Sequence, residues 1–229
     1  LAIVAIAAPP VPTDIQTDYQ EREVSQFMHF SMCTYAGCEQ DTACQTNKPE
    51  LFNPVDLDTD QWIATAKALG AKQICLTAHH TGGFALWQTK LTNYSVAQSK
   101  WRGGKGDVVA EFTASCKKAG ISPCFYFIND WDCCESHDDP ATYLRIQLSM
   151  LTELLTKYGH IDRLWFDFYG NGCQNGWCPG GLFPNAWANV TAHVRKISPM
   201  TMMLPGPDGC ENPGEGGYGM YPIFNAITD

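Results

Sequence analysis

The sequence has few basic residues, and no internal repeat or low-complexity tract is visible in it. Its 229 residues contain 15 lysines and arginines against 24 aspartates and glutamates, giving a formal net charge of −9 and a pI near 5.0. This balance argues against a nucleic-acid-binding protein, which usually carries a basic patch, and against a polybasic membrane anchor. Hydrophobic residues make up 45% of the chain and aromatic residues 12%, which is enough for a folded core and excludes intrinsic disorder.

The cysteine content and the N-terminal residues indicate a secreted protein. Eleven cysteines are too many for a typical cytosolic enzyme and favour disulfides formed in an oxidising compartment. Residues 1–8 are apolar, precede Pro9-Pro10, and look like the tail of a signal peptide; a buried first strand is the alternative. The run is too short to span a bilayer. Two sequons, Asn93-Tyr94-Ser95 and Asn189-Val190-Thr191, are compatible with N-glycosylation, so we predict a secreted glycoprotein.

The surroundings of the cysteines predict their chemical state. Cys75 and Cys124 lie in apolar, strand-like runs and are expected to be buried free thiols. Zinc is the alternative for the loop cysteines, but Cys173 and Cys178 match zinc spacing only loosely and no second pair follows, so we predict no metal site. The odd count leaves at least one thiol outside any disulfide within the chain. The cysteines expected in disulfides are Cys33, Cys38, Cys44, Cys133, Cys134, Cys173 and Cys178.

Short β-prone runs alternate with longer runs of helical periodicity. This alternation predicts parallel strands joined by right-handed crossovers. A strand every 40–50 residues or so suits a TIM barrel with long loops, and the alternative is a smaller doubly wound sheet. The predicted strands are Gln26–Phe30, Gln73–Thr77, Pro123–Phe127, Arg163–Asp167 and Thr201–Leu204. The predicted helices are Asp60–Leu69, Asp107–Ala119, Pro140–Tyr158 and Asn185–Ile197.

Polar and aromatic residues follow these strands, where the catalytic residues of a barrel lie. Asp167 closes an apolar strand, and burying a carboxylate is costly unless it is paired. Asp167 is therefore a candidate nucleophile or general base, with a helix cap or a structural ion pair as the alternative. Two carboxylates at neighbouring strand ends are the minimal apparatus of a glycosidase, and aromatic rings can stack on a sugar. His79 and His80 are adjacent and should point to opposite faces, which favours contact with substrate hydroxyls over shared metal ligation.

Several short segments occur in a fixed order along the chain. Each is weak alone, whereas the ordered series is specific. The segments include Phe27-Met28-His29-Phe30, Leu51-Phe52-Asn53-Pro54, Gly83-Phe84-Ala85-Leu86-Trp87, Gly104-Lys105-Gly106-Asp107, Asp130-Trp131-Asp132, Leu164-Trp165-Phe166-Asp167 and Gly206-Pro207-Asp208.

This series resembles the α-L-fucosidases of glycoside hydrolase family 29, from about Ser25 to about Tyr218, and most closely the branch that favours α-1,3/1,4-linked fucose. The resemblance implies an α/β fold, a (β/α)8 TIM-like barrel of which this chain covers about the first five to six β/α units. Residues 1–20 would be a signal-peptide remnant and N-terminal extension, and residues 21–229 a partial catalytic barrel. We expect the chain to be incomplete at both ends and to lack the C-terminal β-domain of the family.

The resemblance also implies a retaining exo-glycosidase acting on α-L-fucosyl linkages of fucosylated oligosaccharides or glycoprotein glycans. Asp167 would be the nucleophile and Glu215 the acid/base, with Glu211 as its competitor; a retaining enzyme holds these carboxyls about 5–5.5 Å apart. No metal or organic cofactor, nucleic-acid partner or membrane is implied, and the oligomeric state is left open. The expected substrate-binding residues are His29, Glu39, His80, Tyr126, Trp165, Trp131 and Trp87, the last two at the entrance or packed beneath the sugar.

The chain departs from the family pattern at several positions. Gln40 replaces a tryptophan, Thr81 replaces the second histidine of the family's His-His-Asp-Gly-Phe run, and Phe168 replaces a glycine. These changes bear on substrate range and leave open an inactive barrel that binds fucosylated glycans. The presence of both Asp167 and Glu215 favours an enzyme. A further alternative is a segment that does not fold stably by itself, because an open barrel exposes strand edges.

Overall fold

Parallel strands alternate with helices along the chain in a computed structural model of the protein. The structure describes residues 11–36, 48–128, 139–167 and 186–204. The strands are β1 (Ser25–Met28), β2 (Gln73–His79), β3 (Ser122–Ile128), β4 (Arg163–Asp167) and β5 (Met202–Met203). The helices are α1 (Asp14–Glu21), α2 (Cys33–Ala36), α3 (Thr59–Ala68), α4 (Val108–Ala119), α5 (Pro140–Lys157) and α6 (Ala186–Ile197).

The five strands form one parallel sheet in the order β1-β2-β3-β4-β5. A doubly wound sheet reverses its strand order at a switch point, whereas a β/α barrel adds its strands in sequence. Among the described strands the order does not reverse, which favours the predicted barrel over the doubly wound alternative. Every predicted strand and helix is confirmed with its ends within two residues of those observed.

Side-chain caps and glycines fix where the long helices begin and end. Asp58, Asp107 and Asp139 are the N-caps of α3, α4 and α5, and each carboxylate accepts a hydrogen bond from a backbone N–H of the first turn. Gly120 ends α4 with a φ of +67°, a conformation that glycine adopts without steric cost. Each of these three helices ends a few residues before the strand that follows it.

Helix α1 (Asp14–Glu21) begins in the range 1–20, which was predicted as a signal-peptide remnant and N-terminal extension. Thr13 and Gln16 form a reciprocal capping box, which is the sequence signal for this helix. Arg22, just after the helix, pairs with Asp162 at 2.9 Å, and the Tyr19 ring lies against the guanidinium of Arg163. The N-terminal segment is therefore packed onto the start of β4.

The main hydrophobic core lies between the sheet and the helices. Leu76, Phe125 and Leu164 come from three strands and pack in one cluster with Phe112 of α4 and Leu154 of α5; all five are fully buried. Burying a side chain of this size contributes about 1.5–3 kcal/mol. We call this side of the sheet the helix-covered face. The opposite side, the inner face, carries a smaller cluster of Cys75, Cys124, Tyr126 and Ile128.

Cys75 and Cys124 form a disulfide, so the prediction of two free thiols is wrong. The register of β2 and β3 places the two residues directly opposite each other, with Cα atoms 4.2 Å apart. The apolar runs placed each cysteine in a strand, but they carried no information on register. Cys33 is disulfide-bonded, as predicted. The other loop cysteines lie outside the described residues: Cys38, Cys44, Cys133, Cys134, Cys173 and Cys178.

Cys116 of α4 is a free thiol within the described part of the chain. Burial, and to a lesser extent the charge of Asp162, raises the pKa of this thiol to about 12. It therefore behaves as a packed apolar group and not as a nucleophile.

In the described ranges, no helix combines the length and apolar composition needed to cross a membrane.

Candidate active site

Rings from four neighbouring strands meet on the inner face, toward the carboxyl ends of the strands. Phe27 belongs to β1, and His29 directly follows that strand. His80 follows β2, Tyr126 lies in β3 and Trp165 lies in β4. We call these five side chains the ring cluster. Four of them are residues that the sequence predicted to hold the sugar, and the structure brings those four together.

The ring cluster is closely packed. Ring centroids are 4.7 Å apart for His29 and His80, 5.2 Å for His80 and Tyr126, and 5.9 Å for Tyr126 and Trp165. The Phe27 ring lies 4.7 Å from that of Trp165, which closes the set. These separations are typical of favourable aromatic pairs. The rings therefore support one another and form one surface.

The two adjacent histidines face opposite sides of the sheet, as predicted. His79 is 1% exposed, and its ring lies 5.1 Å from Phe127 on the helix-covered face. His80 lies in the ring cluster, where Thr81 Oγ1 is 3.0 Å from its Nδ1. Thr81 departs from the family pattern, yet its hydroxyl fixes the orientation of the imidazole. The substitution at position 81 is thus compatible with the predicted role of His80 in substrate binding.

Thr77 holds His29 beside His80, and the sequence did not single it out as a functional residue. Its Oγ1 accepts a hydrogen bond from Phe30 N at 3.0 Å and donates one to Phe30 O at 2.9 Å. These bonds continue the contact between the first two strands beyond Met28, the last residue of β1. His29 lies within the continued segment. A buried threonine in an apolar strand offered only a weak signal for this role.

Phe27 is the second residue that sequence reasoning missed. Its side chain is 39% exposed although it is apolar, and its ring lies 5.8 Å from that of His29. An exposed ring within a polar aromatic cluster is a surface on which a sugar can stack. Phe27 and His29 are two residues apart on an extended segment, so strand alternation was the available signal.

A buried arginine supports the ring cluster from below. Arg163 is 3% exposed, and its guanidinium carbon lies 5.2 Å from the Trp165 centroid and 5.0 Å from that of Tyr19. Its Nη1 donates to the Tyr19 hydroxyl at 3.0 Å, and its Nη2 donates to the carbonyl of Leu204 at 3.3 Å. The same side chain therefore links α1, β4 and the residue that follows β5. These contacts fix the position of the guanidinium against which the Trp165 ring packs.

The predicted nucleophile lies at the end of β4. The backbone of Asp167 pairs with Ile128, the last residue of β3, and Asp167 follows Trp165 by two residues. The chain position of Asp167 is thus next to the ring cluster. The other predicted carboxylates and Trp131 lie outside the described residues: Glu39, Glu211, Glu215 and Trp131.

Trp87 is not in the ring cluster, although the sequence placed it among the substrate-binding residues. Its side chain is fully buried in the core of the helix-covered face. Its Nε1 donates to Glu153 Oε2 at 2.9 Å, which ties the loop after β2 to α5. The motif that contains Trp87 carried no information on which face of the sheet this side chain occupies.

Within the described ranges, no group of three or more histidines, cysteines, aspartates or glutamates is placed to hold a metal ion.

The structure defines an α/β protein with a parallel sheet in sequential order, and its imidazole and aromatic side chains lie at the carboxyl ends of the strands, where β/α-barrel enzymes hold their active sites. The sequence profile described as Alpha-L-fucosidase matches residues 12–203. Alpha-L-fucosidase 1 of Arabidopsis thaliana is 40% identical over 159 residues, which are 69% of this chain and 31% of that protein. The chain belongs to the alpha-L-fucosidase family, and it spans about a third of the length of this curated relative.

Solved structures agree with this placement. A glycoside hydrolase 29 family member from an unknown rumen bacterium is 32% identical, with a TM-score of 0.75, and the match covers 90% of this chain and 36% of that one. The alpha-L-fucosidase AlfC from Lactobacillus casei, solved in complex with α-L-fucose product, gives a TM-score of 0.65 at 20% identity and covers 84% and 69% of the two chains. The second likeness shows the fold alone. The α/β fold predicted from the sequence is thus the fold of this family.

Proposed function

We propose that this chain carries the active site of a retaining α-L-fucosidase. The observation that carries the proposal is the ring cluster, which lies on the inner face beside the strand end occupied by Asp167. Membership of the alpha-L-fucosidase family supports the choice of sugar. The substrate class would be a fucosylated oligosaccharide or a glycoprotein glycan.

The chemistry of the cluster suits a deoxy sugar. Phe27 and Trp165 offer apolar ring surface to the hydrophobic side and methyl group of fucose. His29, His80 and Tyr126 offer ring nitrogens and a phenol that can donate hydrogen bonds to the sugar hydroxyls or accept them. Glu39 and Trp131 would add the further contacts that the family resemblance implies.

The proposed reaction has two steps. First, the Asp167 carboxylate attacks the anomeric carbon, the glycosidic C–O bond breaks, and Glu215 gives its proton to the leaving oxygen. A fucosyl ester of Asp167 results. Glu215 then takes a proton from water, the water oxygen attacks the anomeric carbon, and the ester bond breaks. Two inversions release fucose with its original configuration.

Release of a chromogenic aryl group from an aryl α-L-fucoside tests this proposal. In Asp167→Asn we expect kcat to fall about a thousandfold or more, because the covalent step loses its nucleophile. Asp56→Asn is the matched control, since Asp56 is an exposed aspartate on the loop before α3. Circular dichroism of the three proteins should be the same. An Asp167→Asn variant within tenfold or so of the parent would reject the nucleophile assignment.

Two further measurements resolve the mechanism and the acid/base. In Asp167→Gly, azide should restore turnover and yield a fucosyl azide of inverted configuration, because azide replaces the missing carboxylate. Glu215→Gln should slow the parent reaction more than Glu211→Gln does; the opposite order would assign the role to Glu211. Fucose binding by the parent chain, seen as tryptophan fluorescence quenching, without any aryl release would instead identify a glycan-binding barrel.

We also propose that the protein is secreted. The support is that Cys33, Cys75 and Cys124 are all disulfide-bonded, which is rare in a reducing cytosol. In protein purified from its natural source, iodoacetamide should alkylate these three cysteines only after their disulfides are reduced. Alkylation at all three without reductant would contradict the proposal.

A further inference from the structure

One of the two sequons lies on a surface loop between β2 and α4. Asn93 is exposed, whereas the next two residues are buried: Tyr94 is 6% exposed and Ser95 is not exposed. Thr92 Oγ1 accepts a hydrogen bond from Tyr94 N at 3.0 Å, and the hydroxyl of Ser95 donates to Gln98 at 2.7 Å. The loop is thus anchored on both sides of an outward-facing Asn93. An acceptor for N-glycosylation is expected in such a surface loop.

The second sequon has a different setting. Asn189 is also exposed, but it lies inside α6 and the residue after it, Val190, is 1% exposed in the core. The helix therefore fixes the backbone of the sequon and buries its central residue. The two sequons form a natural comparison in which loop geometry favours Asn93.

A groove of about 480 Å³ lies beside Asn93. Its walls include Thr92 and Gln98 from the loop, and Glu153 and Lys157 from α5. These side chains offer the donors and acceptors that sugar hydroxyls and an acetamide group need. Because the groove is shared with α5, it lies on the helix-covered side and away from the ring cluster.

We infer that Asn93 carries an N-linked glycan whose first N-acetylglucosamine lies in this groove. In the transfer, Asn93 Nδ2 forms a bond to the sugar C1 and the C1–O bond to a lipid-diphosphate-linked oligosaccharide donor breaks. The lipid diphosphate leaves and the amide proton passes to solvent, without any redox change. The inference goes beyond the fucosidase proposal, but in nature it requires the proposed secretion.

Secretion of the full chain from eukaryotic cells behind an added leader tests attachment independently of the natural compartment and of catalysis. Cleavage after Lys90 and Lys100 isolates Asn93 in one peptide. Peptide-N-glycosidase in heavy-oxygen water converts a glycosylated Asn93 into labelled aspartate, and we expect that label. Asn93→Gln and Ser95→Ala should lack it, Ser95→Thr should keep it, and Asn189→Gln should not affect it. An unlabelled peptide from the secreted parent, or a labelled one from Ser95→Ala, would overturn the attachment site.

The position of the first sugar has its own test. A sugar that lies in the groove should shield the bond between Asn93 and the glycan. We therefore expect peptide-N-glycosidase to release the glycan from the native chain about tenfold more slowly than from the denatured chain. Equal rates would overturn the groove assignment. Activity of Asn93→Gln on the aryl fucoside should equal that of the parent, since the groove and the ring cluster lie on opposite sides of the sheet.

Discussion

The two faces of the sheet use the same strands for different purposes. On the helix-covered face, residues such as Leu76 and Leu164 are fully buried and pack with the helices. On the inner face, Tyr126 and Trp165 belong to a small cluster that is capped by partly exposed rings. The stability of the fold should therefore depend mainly on one face and its chemistry on the other. A substitution should affect one property or the other according to the face on which it lies.

The largest expected effect is on stability and lies on the helix-covered face. Leu154 of α5 is fully buried, so Leu154→Ala should lower the free energy of unfolding by about 2–5 kcal/mol through lost burial and a cavity. Phe27→Ala, on the inner face, should cost much less because that ring is 39% exposed. Urea denaturation of both variants measures the difference. A Phe27→Ala variant as destabilised as Leu154→Ala would remove the distinction between the faces.

The adjacent histidines sharpen the comparison, because one step along the chain changes the face. His80→Ala should lower kcat/KM by about 10- to 150-fold, the value of one strong hydrogen bond of about 1.5–3 kcal/mol, with little change in stability. His79→Ala removes a buried side chain and should instead cost about 0.5–3 kcal/mol of stability.

The histidine comparison is measured as aryl fucoside hydrolysis per folded molecule, beside thermal denaturation. His80→Asn is the conservative variant, and it should recover part of the lost activity because its amide can still form hydrogen bonds. If His79→Ala lost activity per folded molecule as strongly as His80→Ala, the assignment of His79 to the core would be wrong.

Sequence patterns found what depends on local periodicity and missed what depends on pairing across the sheet. The strands, the helices and the opposite orientation of His79 and His80 follow from alternation within one segment. The Cys75–Cys124 disulfide and the contact of Thr77 with Phe30 require the register between two strands, which no single segment contains. Tertiary contacts decided these features, and local periodicity does not record them.

Three further differences between the sequence predictions and the structure have different causes. Trp87 was assigned to the site because a motif carried it, but a motif does not state which face a side chain occupies. Helix α1 was not predicted although Thr13 and Gln16 form its capping box, because this short polar helix follows an apolar run that resembles a signal peptide. Phe27 lies two residues before His29 on an extended segment, so strand alternation places both side chains on the same face.

The smallest expected effect concerns Glu153, which links α5 to the loop after β2 on the helix-covered face. Burial alone would raise the pKa of this carboxyl, but hydrogen bonds from Lys157, Trp87 and Thr89 outweigh it and hold the pKa below its usual value of 4.5. A carboxyl with a lowered pKa in the folded state stabilises the protein above the unfolded pKa, and this contribution disappears as the pH falls through the folded pKa. Because the group is partly exposed, we expect less than about 1 kcal/mol.

Stability measured by urea denaturation from neutral pH into the acid range tests this contribution, with Glu153→Gln as the variant. The glutamine is close in shape and carries no charge, so the parent should be more stable at neutral pH and the two curves should converge in acid. Trp87→Phe should reduce the gap, since it removes the indole N–H that donates to Glu153 at 2.9 Å. Neither substitution should change the KM for the aryl fucoside, because both residues lie on the helix-covered side. A change in KM would show that the loop after β2 transmits packing on that face to the ring cluster, and the two faces could then no longer be treated as independent.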